Sequence, residues 1–100
     1  MYYIYILYSP TFDKYYVGYT EDFLNRFNQH NHQEYFNTYT SKFRPWQLAA
    51  VFECGFDKSA AIKTENFIKK QKSKRFIEQL IADEFTPNDK LALLRKIKHP

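Results

Sequence analysis

The chain has 100 residues, 44% of them hydrophobic, which suits one domain with a modest core and leaves no room for two. No run reaches the roughly 18 apolar residues of a membrane span, and Met1-Tyr2-Tyr3-Ile4 lacks the marks of a signal peptide, so a cytoplasmic protein free of the membrane is expected. The net charge of +4 is uneven: residues 1–57 hold four Lys/Arg and six Asp/Glu, whereas residues 58–100 hold eleven and five, and such a basic half suits nucleic acid.

Residues 2–8 are aromatic and β-branched and predict a strand. Alternation puts Ile4 and Ile6 on one face and Tyr3 and Tyr5 on the other. Pro10 breaks this strand, and residues 14–19 predict a second one, making a hairpin. A turn centred on Pro10-Thr11 sets Tyr5 opposite Tyr16. Thr20 is a candidate N-cap for a helix to about His32, with Phe23, Leu24 and Phe27 as its apolar stripe. Arg26 and His30, four apart, lie at the edge of that stripe.

Residues 33–45 are polar and predict a loop, and residues 46–53 a third strand with Leu48, Ala50 and Phe52 on one face. Asp57 or Ser59 caps a helix over about residues 58–72, on which Ala60, Ala61, Thr64, Phe67 and Ile68 form an apolar arc. Glu65 falls just off the edge of that arc, a boundary position suited to a cleft. A short helix follows over about residues 74–83, and Pro87 starts a last one through Ile97. The order β-β-α-β-α-α predicts an α+β domain: a small antiparallel three-stranded sheet flanked by helices. Residues 1–83 make the main body and 84–100 a helical extension of it. The single cysteine, Cys54, forms no internal disulfide and reads as a small buried hydrophobe.

Tyr3-Ile4-Tyr5 followed about ten residues later by Tyr16-Val17-Gly18 resembles the paired signature of GIY-YIG nucleases. Arg26 and His30 follow at the spacing R-x-x-x-H, and Glu65 falls in a helix after the third strand. The resemblance covers about residues 2–80 and is closest to the small stand-alone bacterial members; the N-terminal domain of the excision-repair endonuclease subunit is similar. Tyr3 replaces the first glycine of the signature and Val17 the isoleucine. Tyr19 stands where some relatives carry a lysine, and His30 fits the relatives that use a helix histidine.

The resemblance implies a metal-dependent endonuclease acting on DNA, with Tyr5, Tyr16, Arg26 and His30 catalytic and Glu65 holding Mg²⁺ or Mn²⁺. A lone carboxylate is a hard oxygen ligand that magnesium uses with waters and phosphate oxygens. Arg26 would hold two phosphate oxygens. Tyr5 would deprotonate water and His30 take the proton onward, since a phenol with a reference pKa near 10 is a poor base unaided. Lys69, Lys70, Lys72, Lys74 and Arg75 would grip the DNA backbone without reading sequence, with Arg44 adding a phosphate contact. Gly18 is either a point of close approach or a strand end.

Each feature has an ordinary alternative: packed strand aromatics, a solvated helix face, a routine Glu65–Lys69 pair. Their joint order favours the enzyme. The competing functions are a non-catalytic nucleic-acid-binding module of the same fold and a protein-interaction adaptor. The spacing of His30, His32, Cys54 and His99 matches no regular zinc site. The resemblance implies that target choice comes from an attached DNA-binding domain; none is expected here, so weak sequence preference and nicked or structured DNA, in repair or processing, are expected. One such site cuts one strand at a time, and the oligomeric state is not legible.

Overall fold

The aromatic run at the start of the chain becomes the middle of the sheet. In the computed structural model, which describes residues 1–82, 91 and 94–99, β1 (Tyr3–Ser9) pairs antiparallel with β2 (Lys14–Thr20) on one side and β3 (Gln47–Glu53) on the other. A short β4 (Arg95–Ile97) pairs antiparallel with β3, giving the order β2-β1-β3-β4. The sheet thus has four strands among the described residues, not three. Residues 95–97, expected to end a last helix, form this strand instead; residues 83–90, where that helix would begin, lie outside the described ones. Three residues, two of them basic, carry no period from which a strand can be read. Pairing with the edge of β3 fixes them, with Ile97 opposite Val51.

The hairpin register differs from the expected one. Ser9 pairs with Lys14, so the turn centre falls one residue later, and Tyr5 faces Gly18 while Leu7 faces Tyr16. Asp13, in the left-handed region at φ 52°, completes the four-residue loop. Moving the centre by one residue moves each pairing by two, so the faces are kept. Ile4, Ile6 and Val17 share one face with Ala50 and Phe52, and Tyr5, Leu7 and Tyr16 share the other with Val51. A bulge between Ile6 and Leu7 shifts the β1–β3 pairing, placing Leu48 opposite Leu7 and on the Val51 face rather than with Ala50.

Helix α1 (Phe23–His32) covers the tyrosine face with Phe23 and Phe27. Its N-cap is Asp22, whose carboxylate accepts from the Asn25 amide at 3.1 Å. Thr20 is the last residue of β2; its hydroxyl accepts from the Asp22 amide and shapes the turn into the helix. Leu24 is 49% exposed and leaves the stripe, which runs instead through Phe23, Phe27 and the buried His30.

A four-residue helix α2 (Thr38–Ser41) lies in the segment expected to be loop, capped by Asn37. Helices α3 (Lys58–Lys70) and α4 (Lys74–Ile81) cover the opposite face of the sheet, burying Ala61, Ile68 and Leu80 against Ile4, Ile6 and Phe52. Asp57 caps α3 and Ser73 caps α4. Cys54 is buried in this layer, where loss of hydration pushes its thiol pKa up.

Candidate active site

Strand β2 is an edge strand, so its open side is where helices from the two faces of the sheet meet. A cleft of about 630 Å³ lies there. Tyr5, Tyr16, Arg26, His30 and Glu65 all line it, so the five polar positions singled out in the sequence share one hollow. Tyr5 comes from the central strand, Tyr16 from the edge, Arg26 and His30 from α1, and Glu65 from α3.

Gly18 is a point of close approach. The Tyr5 ring lies directly over it, and a Cβ built there would run into the phenol oxygen and Cζ and stand 2.8 Å from Cε1. Only a residue without a side chain leaves room for this phenol at the edge of the sheet.

The Tyr5 hydroxyl and His30 Nε2 are 2.8 Å apart, and His30 Nδ1 lies 2.8 Å from Thr40 Oγ1. Tyr5, His30 and Thr40 are 3%, 1% and 0% exposed, so this chain of hydrogen bonds runs inward from the cleft floor. Helix α2 is its anchor. Thr40 donates its amide to Asn37 Oδ1 at 3.0 Å, and its carbonyl accepts from Trp46 Nε1 at 2.8 Å. Asn37 also donates from Nδ2 to the Tyr16 hydroxyl at 3.3 Å. The side-chain amide of Asn31 clamps the Trp46 backbone, donating to its carbonyl at 2.9 Å and accepting from its amide at 2.7 Å.

Burial sets the charge states. It pushes the Tyr5 phenol well above the usual tyrosine range; Tyr16 adds to that, Arg26 opposes it, and Glu65 adds a little more. It also pulls His30 down to about 4, helped by the positive charges of Arg26 and Arg44. At neutral pH both groups are uncharged.

Arg26 lies against the Phe36 ring, 5.3 Å from its centroid, and no acceptor among the described residues holds its donors. Glu65 pairs with Lys69 at 3.3 Å, its own side chain only 13% exposed. Lys69 also lies 5.1 Å from the centroid of the Tyr16 ring. No group of three or more His, Cys, Asp or Glu among the described residues is arranged around a metal. Two other acids line the cleft, Asp22, which is occupied as a helix cap, and the exposed Glu21, while Glu65 lines it from α3 with its side chain largely buried. One carboxylate with open space beside it fits a hard divalent cation that keeps most of its waters.

The basic positions separate. Lys70, Lys72 and Arg75 are exposed around the α3–α4 junction, Lys72 in the left-handed region at φ 47°. Lys74 pairs with Asp13 of the hairpin loop. Arg44, expected at phosphate, instead donates to the carbonyls of His30 and Gln33 at 2.6 and 2.7 Å and tethers the C-terminus of α1. The sequence pattern alone gives no positioning role to Asn31, Asn37, Thr40 or Trp46. The cap pattern Asn37-x-x-Thr40 was the available signal.

An antiparallel sheet clasped by helices, with these groups gathered at its edge, is the architecture of a nuclease-type catalytic domain. The chain belongs to the GIY-YIG family: the family model described as the GIY-YIG catalytic domain matches residues 1–79. Among curated proteins, none matches the chain significantly. Domains of this family are typically endonucleases and generally depend on a divalent metal, which implies a nucleic-acid substrate. No helix among the described residues is long and apolar enough to cross a membrane.

Proposed function

We propose that this protein is a magnesium-dependent endonuclease that hydrolyses phosphodiester bonds in DNA with weak sequence preference, in repair or processing of nicked or structured DNA. The observation that carries this reading is the 2.8 Å link between Tyr5 and His30 on the floor of a cleft that Arg26 and Glu65 also line.

The mechanism follows from the charge states. A free phenolate–imidazolium pair is disfavoured, because burial raises Tyr5 and lowers His30. Tyr5 therefore accepts a proton from water only as it passes its own to His30 Nε2. This uses the tautomer with the imidazole proton on Nδ1, donated to Thr40 Oγ1. Arg26 takes two phosphate oxygens through its planar fork and orients the phosphorus toward the water. Tyr16, steadied by Asn37, hydrogen-bonds a phosphate oxygen or the water. Magnesium, held by Glu65, waters and phosphate oxygens, would offset charge on the phosphate and on the departing oxygen; manganese fits the same ligands.

Incubation with nicked, branched and single-stranded DNA, with and without Mg²⁺, tests the reading. Cutting that disappears with EDTA and with Glu65→Ala supports the enzyme. Binding that survives Glu65→Ala, with no cutting by the parent protein at any metal concentration, would instead establish a non-catalytic binding module.

A further inference from the structure

A row of aromatic rings leads out of the cleft along the edge of the sheet. It begins at Tyr16 and passes to Tyr39 on α2 at 6.2 Å between centroids, then to Phe43 at 5.0 Å, then to Phe12 at the hairpin tip at 5.4 Å. Two of its members stay open to solvent: Tyr39 is 43% exposed and Phe12 45%. Burying both would be the ordinary outcome for rings that serve only to close a core. Ammonium groups accompany the row. Lys69 lies 5.1 Å from the Tyr16 centroid, and Lys14 lies 5.6 Å from that of Phe43.

Beside the row runs a second groove, of about 500 Å³, which shares Tyr16 and Lys69 with the cleft and is also lined by Tyr39, Lys14 and Lys72. The acid beside it, Asp13, is already paired with Lys74. The groove thus combines aromatic rings with two lysines, Lys14 and Lys72, that stand in no ion pair among the described residues, and it shares lining residues with the cleft.

From this geometry we infer that the row is a track for a single-stranded stretch of nucleic acid that continues from the scissile phosphate, its bases stacking on Tyr39 and Phe12 and its phosphates meeting Lys14 and Lys72. Stacking needs exposed ring faces and tolerates any base, while the backbone needs cations at intervals; the row provides both. An acidic peptide would use the lysines but leave the ring faces without a flat partner. The inference rests on the proposed endonuclease only in where the strand comes from. It makes the preferred DNA one with a frayed or unpaired tail next to the cut.

Binding and cutting are measured separately to test this. Anisotropy of a fluorescein-labelled duplex with a ten-nucleotide single-stranded tail, in EDTA, reports binding without cleavage. Tyr39→Ala is expected to weaken binding of the tailed DNA about tenfold, through the loss of one stacked base. It should change binding of the blunt duplex less than twofold. Tyr39→Trp, which keeps a ring face, should restore tail binding, and thermal melts by circular dichroism confirm that each variant is folded. Phe12→Ala provides a second variant outside the cleft.

Tail binding unchanged within twofold in both alanine variants overturns the track, as does failure of Tyr39→Trp to restore it. Parent protein that cuts tailed and blunt DNA equally well, with the variants unaltered, leaves the endonuclease standing and removes the track. Ring-dependent tail binding without any cutting leaves the track standing and removes the endonuclease.

Discussion

The Tyr5 phenol sits where it does because two neighbours permit it: Gly18 leaves the space above β2, and His30 receives the hydroxyl. Tyr5→Phe keeps the ring over Gly18 and removes only the proton path. Single-turnover cleavage should fall about 10²- to 10⁴-fold, the usual contribution of a positioned proton-transfer group, with DNA affinity unchanged. An unchanged rate would rule Tyr5 out as the base. Gly18→Ala should act on the same bond from the other side, by forcing the ring off its seat. We expect about 1–3 kcal/mol of lost stability by urea unfolding from the overpacking, and a cutting rate close to that of Tyr5→Phe. Because both changes break one link, the double variant should cut hardly more slowly than Tyr5→Phe alone; a multiplicative loss would show that they act separately. In the sequence Gly18 read equally as a close approach or a strand end, whereas all five polar residues named at the cleft were legible through motif spacing. Which pair touches was not, because pairing depends on where the turn centres, and a Pro-Thr-Phe-Asp loop admits two centres.

His30 also couples stability to pH. Its folded pKa of about 4 lies below the reference value near 6.5, so the unfolded chain binds more protons between those values. Stability is therefore complete above about pH 6.5 and is lost as pH falls toward 4, by up to about 2 kcal/mol at pH 5. Thermal melts at pH 7 and pH 5 should show a wider gap for the parent than for His30→Leu; equal gaps would place the imidazole in water.

Among the elements, α2 shows the largest difference between what the sequence reveals and what the fold uses. A four-residue helix has no hydrophobic period to read, and its polar composition resembles loop. Its function comes from tertiary partners: Asn37 joins it to Tyr16, and Thr40 joins it to His30 and Trp46. The longer elements α1, α3 and β1–β3 were legible because each buries a face with a clear period. β4 was not, for the reason that also hid α2. Thr40→Val preserves shape and removes the partner of His30 Nδ1, leaving a buried imidazole N–H unsatisfied. A loss of about 1–3 kcal/mol in unfolding free energy is expected. Cutting should slow as well, because the imidazole loses the contact that keeps Nε2 free to receive the Tyr5 proton. Thr40→Ser should recover both, and recovery of stability without recovery of rate would separate packing from proton handling.

At the scale of the whole molecule, charge is divided by chain segment and then reunited in space. The N-terminal half brings the phenols and Arg26, and the C-terminal half brings the excess of cations, of which Lys70, Lys72 and Arg75 stand exposed around the α3–α4 junction. Such a surface attracts any nucleic acid through counterion release, which makes affinity salt-dependent. Replacing Lys70, Lys72 and Arg75 together by Gln tests how many phosphates this face meets. If each contacts one, the slope of log binding constant against log salt for duplex DNA should become shallower by about 0.9 per residue, or roughly 2 to 3 in all. The single-turnover rate at saturating DNA should stay near that of the parent, because none of the three touches the cleft groups. Arg44→Gln serves as the contrasting case: its guanidinium is engaged by α1 carbonyls, so it should cost stability and leave the salt slope unchanged. A parent-like slope in the triple variant would move the DNA to a different face of the domain.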